Sequence, residues 1–457
     1  MTEPRPPRKT FSGTTATALV IANMVGTGVF TSLGFQVVDL TSGLALILLW
    51  VVGGLIALFG ALTYSEAGVM MPRCGGEYHF LTRMYHPALG FLSGWVSLLV
   101  GFAAPVAAAS IALGSYLRSA LAMPEHLAGG LSFLKTTSAI ALAVVAALTA
   151  VHALDKIVGA KLQNVITLFK VVVIFVLVGL GLAAGRASGL SFAAGPQALR
   201  DILSPAFAVS MFFVTFSYSG WNAAAYVAGE IDKPARNLPR SLISGTLFVI
   251  VMYVLLNLVF LRTIPLGEMK GKIEIGYIFA DRVFGASGGR VMGALIAFLL
   301  LSSISAMIIA GPRISKVIGE DYHLFRWLGK SSKKDIPAVA IVAQGLLTAV
   351  YIITSTFEQV IVFIGFTLNM FTFLTVLGVM IMRRKRPDLP RPYKTIGYPV
   401  VPLVFLAIHV WILAYGLLYR PKEAFAGLGI TALGLIVYGL DKKLRPKDFR
   451  PSPESTC

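Results

Sequence analysis

Two short glycine-rich and polar stretches interrupt long apolar runs of this 457-residue chain. Gly26-Thr27-Gly28 lies in the middle of the first run, and residues 215–222 (TFSYSGWN) lie near the centre of the sixth. A broken helix inside a membrane is tolerated where its freed N–H and carbonyl groups line a cavity. The N–H end of one half attracts an anion, and the carbonyl end of the other attracts a cation. The pattern therefore favours a site for a molecule that carries both charges.

The elements that would hold these breaks are membrane-spanning helices. Hydrophobic residues make up 56% of the chain and charged residues 13%, whereas a soluble protein has about 25% charged residues. This composition excludes a soluble enzyme, a disordered chain and a nucleic-acid-binding protein. A spanning helix needs roughly 20 apolar residues. Such runs predict twelve spans, at residues 14–38, 43–69, 89–117, 138–151, 162–184, 205–228, 242–261, 291–309, 338–354, 360–382, 400–419 and 426–440.

The distribution of basic residues predicts which way the spans run. The termini and the loops on their side carry 27 Lys and Arg residues, and the opposite side carries 11. Cytoplasmic loops are enriched in Lys and Arg, so both terminal tails, 1–13 and 442–457, are expected in the cytoplasm. We therefore expect a multi-pass protein of the plasma membrane, surrounded by the lipid bilayer.

The two breaks are five spans apart. Interrupted helices in matching positions of two halves are typical of transporters built from inverted repeats. The alternative is ordinary packing, because glycine is also common where membrane helices touch. An α-amino acid carries the carboxylate and the ammonium that such a pair of breaks would attract.

Five stretches of the sequence resemble the amino acid–polyamine–organocation (APC) superfamily, and within it the L-type amino acid transporter (LAT)-like branch. The resemblance implies an all-α membrane fold of the leucine-transporter type, with discontinuous helices 1 and 6. Helices 1–5 (residues 14–186) and 6–10 (200–383) would form the inverted repeats, and helices 11 and 12 (397–441) would be peripheral. The matching stretches are 23–30 (NMVGTGVF), 64–81 (YSEAGVMMPRCGGEYHFL), 216–240 (FSYSGWNAAAYVAGEIDKPARNLPR), 306–313 (AMIIAGPR) and 391–402 (RPYKTIGYPVVP).

The resemblance also implies where a substrate would bind. The substrate carboxylate would meet the N–H groups of the first break and the Thr27 hydroxyl, and the ammonium would meet main-chain carbonyls beside both breaks. The Phe216 ring matches the aromatic gate that closes over the substrate in this family. The implied substrate-binding residues are Met24, Gly26, Thr27, Gly28, Phe216, Ser217 and Ser219.

One lysine, Lys170, lies inside the fifth predicted span. Nine helical residues from Lys161 place it about 13 Å beyond the boundary, near the middle of a hydrocarbon core about 30 Å thick. A lysine side chain is too short to carry its ammonium back to the surface from there. A charge at this depth normally faces the protein interior and is functional.

The segment around this lysine, residues 165–173 (VITLFKVVV), resembles the family stretch in which a lysine stands where sodium-coupled relatives bind an ion. The resemblance implies that the Lys170 ammonium bridges the first span, near Gly26, to the eighth span, near Ser302 and Ser303. We therefore expect secondary active transport by alternating access that is independent of sodium and works by exchange or proton coupling.

The predicted pocket segments contain no Asp or Glu, which favours neutral L-amino acids as substrates. The alternative is a cationic amino acid or polyamine transporter of the same fold, which would need an acidic residue in the pocket. The nearest acids are expected near the cytoplasmic ends of spans 2 and 6, in ion pairs with loop cations. These acids are Glu66, Glu230 and Asp232, and the expected partners are Arg73, Lys233, Arg236 and Arg240.

Other classes of function are weakly supported. An intramembrane enzyme or receptor is the alternative, but HExxH, GxSxG and Walker motifs are absent from the sequence. We expect no catalytic residue, cofactor or metal, and no nucleic-acid partner. His409, in the eleventh span, is expected to be a packing residue away from the core.

The cysteines bear on a partner protein. Animal relatives of this branch bond a single-span glycoprotein through a cysteine in the outer loop between helices 3 and 4. The corresponding residues 118–135 contain no cysteine, and the chain has only Cys74 and Cys457. We therefore expect no disulfide-linked heavy subunit.

Overall fold

The computed structural model describes residues 11–73, 75–127, 134–154, 160–183, 188–332 and 336–446, with the side chains of 160–164 excepted. Cys74, Cys457, most of both predicted tails and part of the loop 118–135 lie outside the described residues. The described residues are predominantly α-helical. The helices are α1 Gly13–Met24, α2 Gly28–Thr31, α3 Leu33–Gln36, α4 Gly43–Met70, α5 Glu77–Met84, α6 Pro87–Val96, α7 Ala103–Ala120, α8 Thr136–Leu154, α9 Ala160–Ala183, α10 Pro196–Leu203, α11 Pro205–Tyr218, α12 Ala223–Tyr226, α13 Pro234–Thr263, α14 Leu266–Met269, α15 Ile275–Asp321, α16 Ala338–Thr354, α17 Phe357–Lys385, α18 Val400–Tyr419 and α19 Pro421–Leu444.

The apolar helices make this a multi-pass membrane protein. In the described part of the chain, ten helices are long and apolar enough to span a bilayer, and the bent pair α10 and α11 would make eleven. The apolar helix α16 is shorter, at 17 residues. Each of the twelve predicted spans overlaps an apolar helix, while the count of twelve spans and the inverted repeat stay predictions.

Several helices extend beyond the apolar runs that predicted them. Helix α15 begins at Ile275 instead of residue 291, and α13 begins at Pro234 instead of residue 242. The added turns carry charged residues such as Asp281 and Arg236. In α13 the helix runs on past the apolar boundary, whereas in α15 the added residues form a separate stretch of helix that is kinked against the rest at Gly285, with φ +76° and ψ −178°. A search for uncharged residues detects neither extension.

The chain leaves the helical conformation at both predicted breaks. Helix α1 ends at Met24, because Val25 adopts φ −75° and ψ 82°, and helical structure resumes at Gly28. Helix α11 ends at Tyr218, and Gly220 follows with φ +95°, in the left-handed region that favours glycine. The short helix α12 continues the sixth span after this turn.

The broken spans are packed inside a bundle of longer helices. Helix α13 lies against α1, α4 and α9, and α15 lies against α7, α8 and α16. The third predicted span consists of α6 and α7 joined by the π-helical turn Ser97–Gly101, and most residues of α7 are buried. The breaks therefore lie in the interior, where freed backbone groups can line a cavity.

Candidate functional site

The two breaks touch each other through glycine. A Cβ added to Gly28 would lie 2.3 Å from the Oγ atom of Ser217, and one added to Gly220 would lie 2.7 Å from the carbonyl carbon of Asn23. Contacts this short do not occur for real Cβ atoms, so any larger residue would force the helices apart. The first and sixth spans therefore cross with their unwound segments in direct contact.

A cavity of about 1200 Å³ begins at this crossing. All seven residues that the sequence predicted to bind substrate lie on its wall. It extends to residues of the loops predicted to be cytoplasmic, including Glu230, Arg313 and Pro337. The seven residues that the structure brings together here are Met24, Gly26, Thr27, Gly28, Phe216, Ser217 and Ser219.

The positive pole of the site is the start of α2. Among the hydrogen bonds of the described residues, none is donated by the N–H groups of Thr27 or Gly28. The Gly26 N–H instead donates to the Met24 carbonyl at 2.8 Å. Two N–H groups at the wall of a cavity can bind one carboxylate, as helix N-termini commonly do.

The negative pole of the site consists of carbonyl groups, and more of them are available at the end of α11 than at the end of α1. The Met24 carbonyl already accepts hydrogen bonds from the Tyr253 hydroxyl at 2.6 Å and from Gly26, so both of its lone pairs are used. The carbonyls of Ser217 and Tyr218 accept no hydrogen bond from any described residue. They are free to bind an ammonium group. Tyr253, which the sequence did not single out, thus positions the Met24 carbonyl.

Among the described residues, those that line the cavity do not extend past the breaks to the side predicted to be extracellular. The Ser32 and Ser217 hydroxyls are 3.0 Å apart, within hydrogen-bonding distance. The Phe35 ring stacks on Phe213 and Phe357, with 5.4 Å between ring centroids in each pair. These contacts seal one end, whereas the other end reaches the predicted cytoplasmic loops. In the described residues, the cavity thus reaches the loops on one side of the bundle only.

Lys170 lies outside the cavity wall and touches the eighth span. Its Nζ atom donates to the Oγ atom of Ser303 at 2.6 Å, and only 3% of the residue is exposed. Ser302 is buried beside Ser303. Within the described residues, Lys170 makes no hydrogen bond to the first span near Gly26. The predicted contact between Lys170 and the eighth span is therefore present, whereas the predicted contact with the first span is not found among the described hydrogen bonds.

The sequence profile of the family described as "Amino acid permease" matches residues 11–438. The chain belongs to the amino acid permease family. This agrees with the resemblance read from the five stretches of sequence.

Individual relatives are more distant. The chain is 26% identical over 429 residues to the b(0,+)-type amino acid transporter 1 of Mus musculus, covering 92% of this chain and 85% of that one. It is 27% identical over 451 residues to the large neutral amino acids transporter small subunit 2 of Rattus norvegicus, covering 96% and 82%. The human form of the latter is 26% identical over 445 residues, covering 95% and 81%.

The permease has an acidic residue on the cavity wall that the sequence did not predict. Glu77, at the start of α5, is buried and accepts hydrogen bonds from Tyr64 at 2.6 Å and Asn222 at 3.2 Å. In the described part of the chain it has no cationic partner. Burial raises the pKa of Glu77, and its hydrogen bonds with Tyr64, Tyr226 and Asn222 offset part of that rise.

The expected partners of Glu66 were wrong. Its carboxylate accepts two hydrogen bonds from Arg383, at 2.8 Å and 2.5 Å, and two from the backbone and hydroxyl of Thr395. The Nε atom of Arg391 lies 3.5 Å away. Glu66 thus joins α4 to the end of α17 and the segment after it. The stretch 391–402 gave a family resemblance but no indication of this long-range pairing.

The expected position of His409 was also wrong. The residue lies on the cavity wall, at a point contributed by α18. Its Nδ1 atom is 2.9 Å from the Phe405 carbonyl, and its ring stacks on the Phe405 ring. His409 packs as expected, but it does so beside the cavity.

Proposed function

We propose that this permease moves neutral L-amino acids across the plasma membrane by alternating access, as a secondary active transporter. Both termini are assigned to the cytoplasm on the basis of the loop charges. Membership of the amino acid permease family supports transport over catalysis, and the relatives are named as amino acid transporters. We extend the proposal to a fold of twelve spans with a 5+5 inverted repeat, because the two breaks occur in spans 1 and 6.

The crossing of the two breaks is the observation that carries this proposal. Within the described part of the chain, the N–H groups of Thr27 and Gly28 and the carbonyls of Ser217 and Tyr218 have no hydrogen-bond partner, and all four residues line one cavity. A hydrogen bond to a charged group contributes about 1.5–3 kcal/mol. Both poles of an amino acid would be bound by backbone groups, which leaves the substrate side chain to be selected by the rest of the cavity.

Alternating access accounts for the closed end of the cavity. Opening to the extracellular side requires the Ser32–Ser217 contact and the stacking of Phe35 to separate, while the cytoplasmic side closes. The Phe216 ring, on the cavity wall, is the proposed gate over the substrate. A substrate that binds one state more tightly shifts the equilibrium toward that state.

Lys170 is the proposed replacement for a bound sodium ion. Its ammonium links α9 to Ser303 on α15 from a buried position, and Ser302 lies beside that contact. A fixed positive charge at this point removes the need for a sodium ion to hold the helices together. We therefore propose sodium-independent transport, by exchange or proton coupling, and no disulfide-linked partner, because residues 118–135 contain no cysteine.

A cationic amino acid is the second candidate substrate, and Glu77 is the observation that favours it. This carboxylate lies on the cavity wall without a cationic partner in the described residues. However, its carboxyl group already makes hydrogen bonds with the uncharged side chains of Tyr64, Asn222 and Tyr226, and burial raises its pKa, which favours its uncharged form. We therefore favour neutral substrates, because burying an unpaired cation costs several kcal/mol.

Uptake into liposomes tests the proposal. Purified protein is reconstituted, and the initial uptake of radiolabelled leucine and alanine is measured with sodium chloride and with choline chloride. We expect equal uptake in the two salts and weak competition by arginine, lysine and putrescine. Strict dependence on a sodium gradient would contradict the role of Lys170. Competition by arginine as strong as by leucine would favour the cationic alternative.

A further inference from the structure

One part of the cavity lies behind the break in the sixth span, and we call it the span 11 lobe. Its wall comes from α4, the sixth span, α17 and α18, and it is largely apolar. Trp221 follows the break directly, so the lobe adjoins the end of α11, where the carbonyls that would bind the ammonium lie. The residues that define the lobe are Ile56, Ala57, Trp221, Leu368, Phe405 and His409.

The imidazole of His409 is fixed in one orientation in this lobe. Its Nδ1 atom lies 2.9 Å from the carbonyl oxygen of Phe405, four residues earlier on α18. Its ring stacks on the Phe405 ring with 3.9 Å between centroids. A carbonyl can only accept a hydrogen bond, so Nδ1 carries the proton, and in a neutral imidazole Nε2 is then an acceptor.

Within the described residues, the Nε2 atom of this ring has no hydrogen-bond partner, and it is not among their fully enclosed unpaired atoms. His409 is 2% exposed, and none of the described residues donates a hydrogen bond to its Nε2 atom. The residue lines the cavity and its Nε2 atom is not fully enclosed, so a molecule in the cavity can donate to it. A ligand that supplies a donor to this unpaired acceptor gains a hydrogen bond. A ligand without a donor leaves the acceptor unpaired in an apolar region, and it binds more weakly.

We propose that the span 11 lobe binds the side chain of the substrate and that His409 accepts a hydrogen bond from its tip. This inference rests on the proposed function, since it places the backbone of the amino acid at the two breaks. The matching ligands are neutral amino acids with an apolar body and one terminal donor, such as the phenol of tyrosine or the indole of tryptophan. Packed helix axes are about 8–10 Å apart, and α18 lies one helix behind the sixth span. A serine or threonine hydroxyl is therefore too short to reach it.

The wild-type protein alone provides the first test. Competition with leucine uptake is measured for two pairs that differ by one donor: tyrosine against phenylalanine, and tryptophan against 1-methyl-tryptophan. We expect the ligand with the donor to compete about fivefold better in each pair, the effect of one neutral hydrogen bond. Equal competition within both pairs would overturn the proposal. Absence of leucine uptake would instead contradict the proposed function.

Variants of His409 provide the second test. His409→Phe keeps a ring against Phe405 and removes the acceptor, so the preference within both pairs should disappear. The readout is the ratio of the two inhibition constants in each pair, measured by competition for substrate binding to the purified variant, so it does not require an unchanged rate of leucine uptake. His409→Gln keeps an acceptor and should retain part of the preference. Thermal unfolding in detergent checks that both variants fold. An unchanged preference in His409→Phe would show that the donor is recognised elsewhere.

Discussion

Replacement of Lys170 by alanine is the change that best tests the coupling part of the account. The Nζ atom is 2.6 Å from the Ser303 hydroxyl and the residue is 3% exposed, so the variant removes a buried hydrogen bond made by a charged group. Such a bond contributes about 1.5–3 kcal/mol, which corresponds to a factor of about ten to a hundred in an equilibrium. If the bond stabilises one state of the transport cycle, the populations shift by that factor.

The assay is the initial rate of labelled leucine uptake into liposomes at matched protein density. Lys170→Ala should transport at least about tenfold more slowly than the wild type, by the same hydrogen-bond energy. The variant should still fold, with a loss of stability in thermal unfolding no larger than the roughly 1.5–3 kcal/mol of this bond, because the change leaves no unpaired charge. Leu168→Ala is a matched control on the same helix, since Leu168 is 66% exposed, and it should transport normally.

The partner of the lysine gives a further check. Ser303→Ala should slow uptake as well, and the double variant should be little slower than Lys170→Ala, because both single changes remove the same contact. Independent effects that add in the double variant would mean that the two residues act separately. Full activity in Lys170→Ala would refute the reasoning.

Three further predictions concern the breaks and their surroundings. Ser219→Trp should abolish leucine uptake and leave thermal stability near normal, because it fills the cavity; normal uptake would place Ser219 elsewhere. Tyr253→Phe should lower stability by about 1 kcal/mol in thermal unfolding, since it removes the hydrogen bond to the Met24 carbonyl; no change would mean that this bond is not made. Folding raises the pKa of Glu77, so the folded state binds this proton more tightly than the unfolded state does. The resulting contribution to stability is present at low pH and is lost as pH rises through the folded-state pKa. Thermal unfolding from pH 5 to 8 should therefore show a larger loss with rising pH in the wild type than in Glu77→Gln, and equal losses would contradict the shift.

The sequence predicted those parts of the site that depend on local chemistry. Gly26 and Gly220 mark the two breaks because glycine, polar residues and mid-span position coincide there. Lys170 was identifiable because its depth follows from helical rise alone. The breaks and the depth of the lysine are each defined by residues that are close together in the chain, so a single sequence is enough to predict them.

The parts that were missed depend on contacts between distant segments. Tyr253 lies 229 residues from Met24, and nothing around it marks it as the donor to that carbonyl. Glu77 and His409 reach the cavity only because α5 and α18 pack beside the breaks. Glu66 pairs with Arg383 for the same reason, although several other cations are closer in sequence. Such partners are set by tertiary packing, which the pattern of apolar runs does not specify.

Competition by leucine and two of its derivatives tests most directly whether the paired breaks bind an amino acid by its backbone. Leucine methyl ester lacks the carboxylate that Thr27 and Gly28 would bind, and N-acetyl-leucine lacks the ammonium that the carbonyls of α11 would bind. Each derivative loses hydrogen bonds to a charged group, so each should compete with leucine uptake at least about tenfold more weakly. Competition by either derivative as strong as by leucine itself would contradict the account.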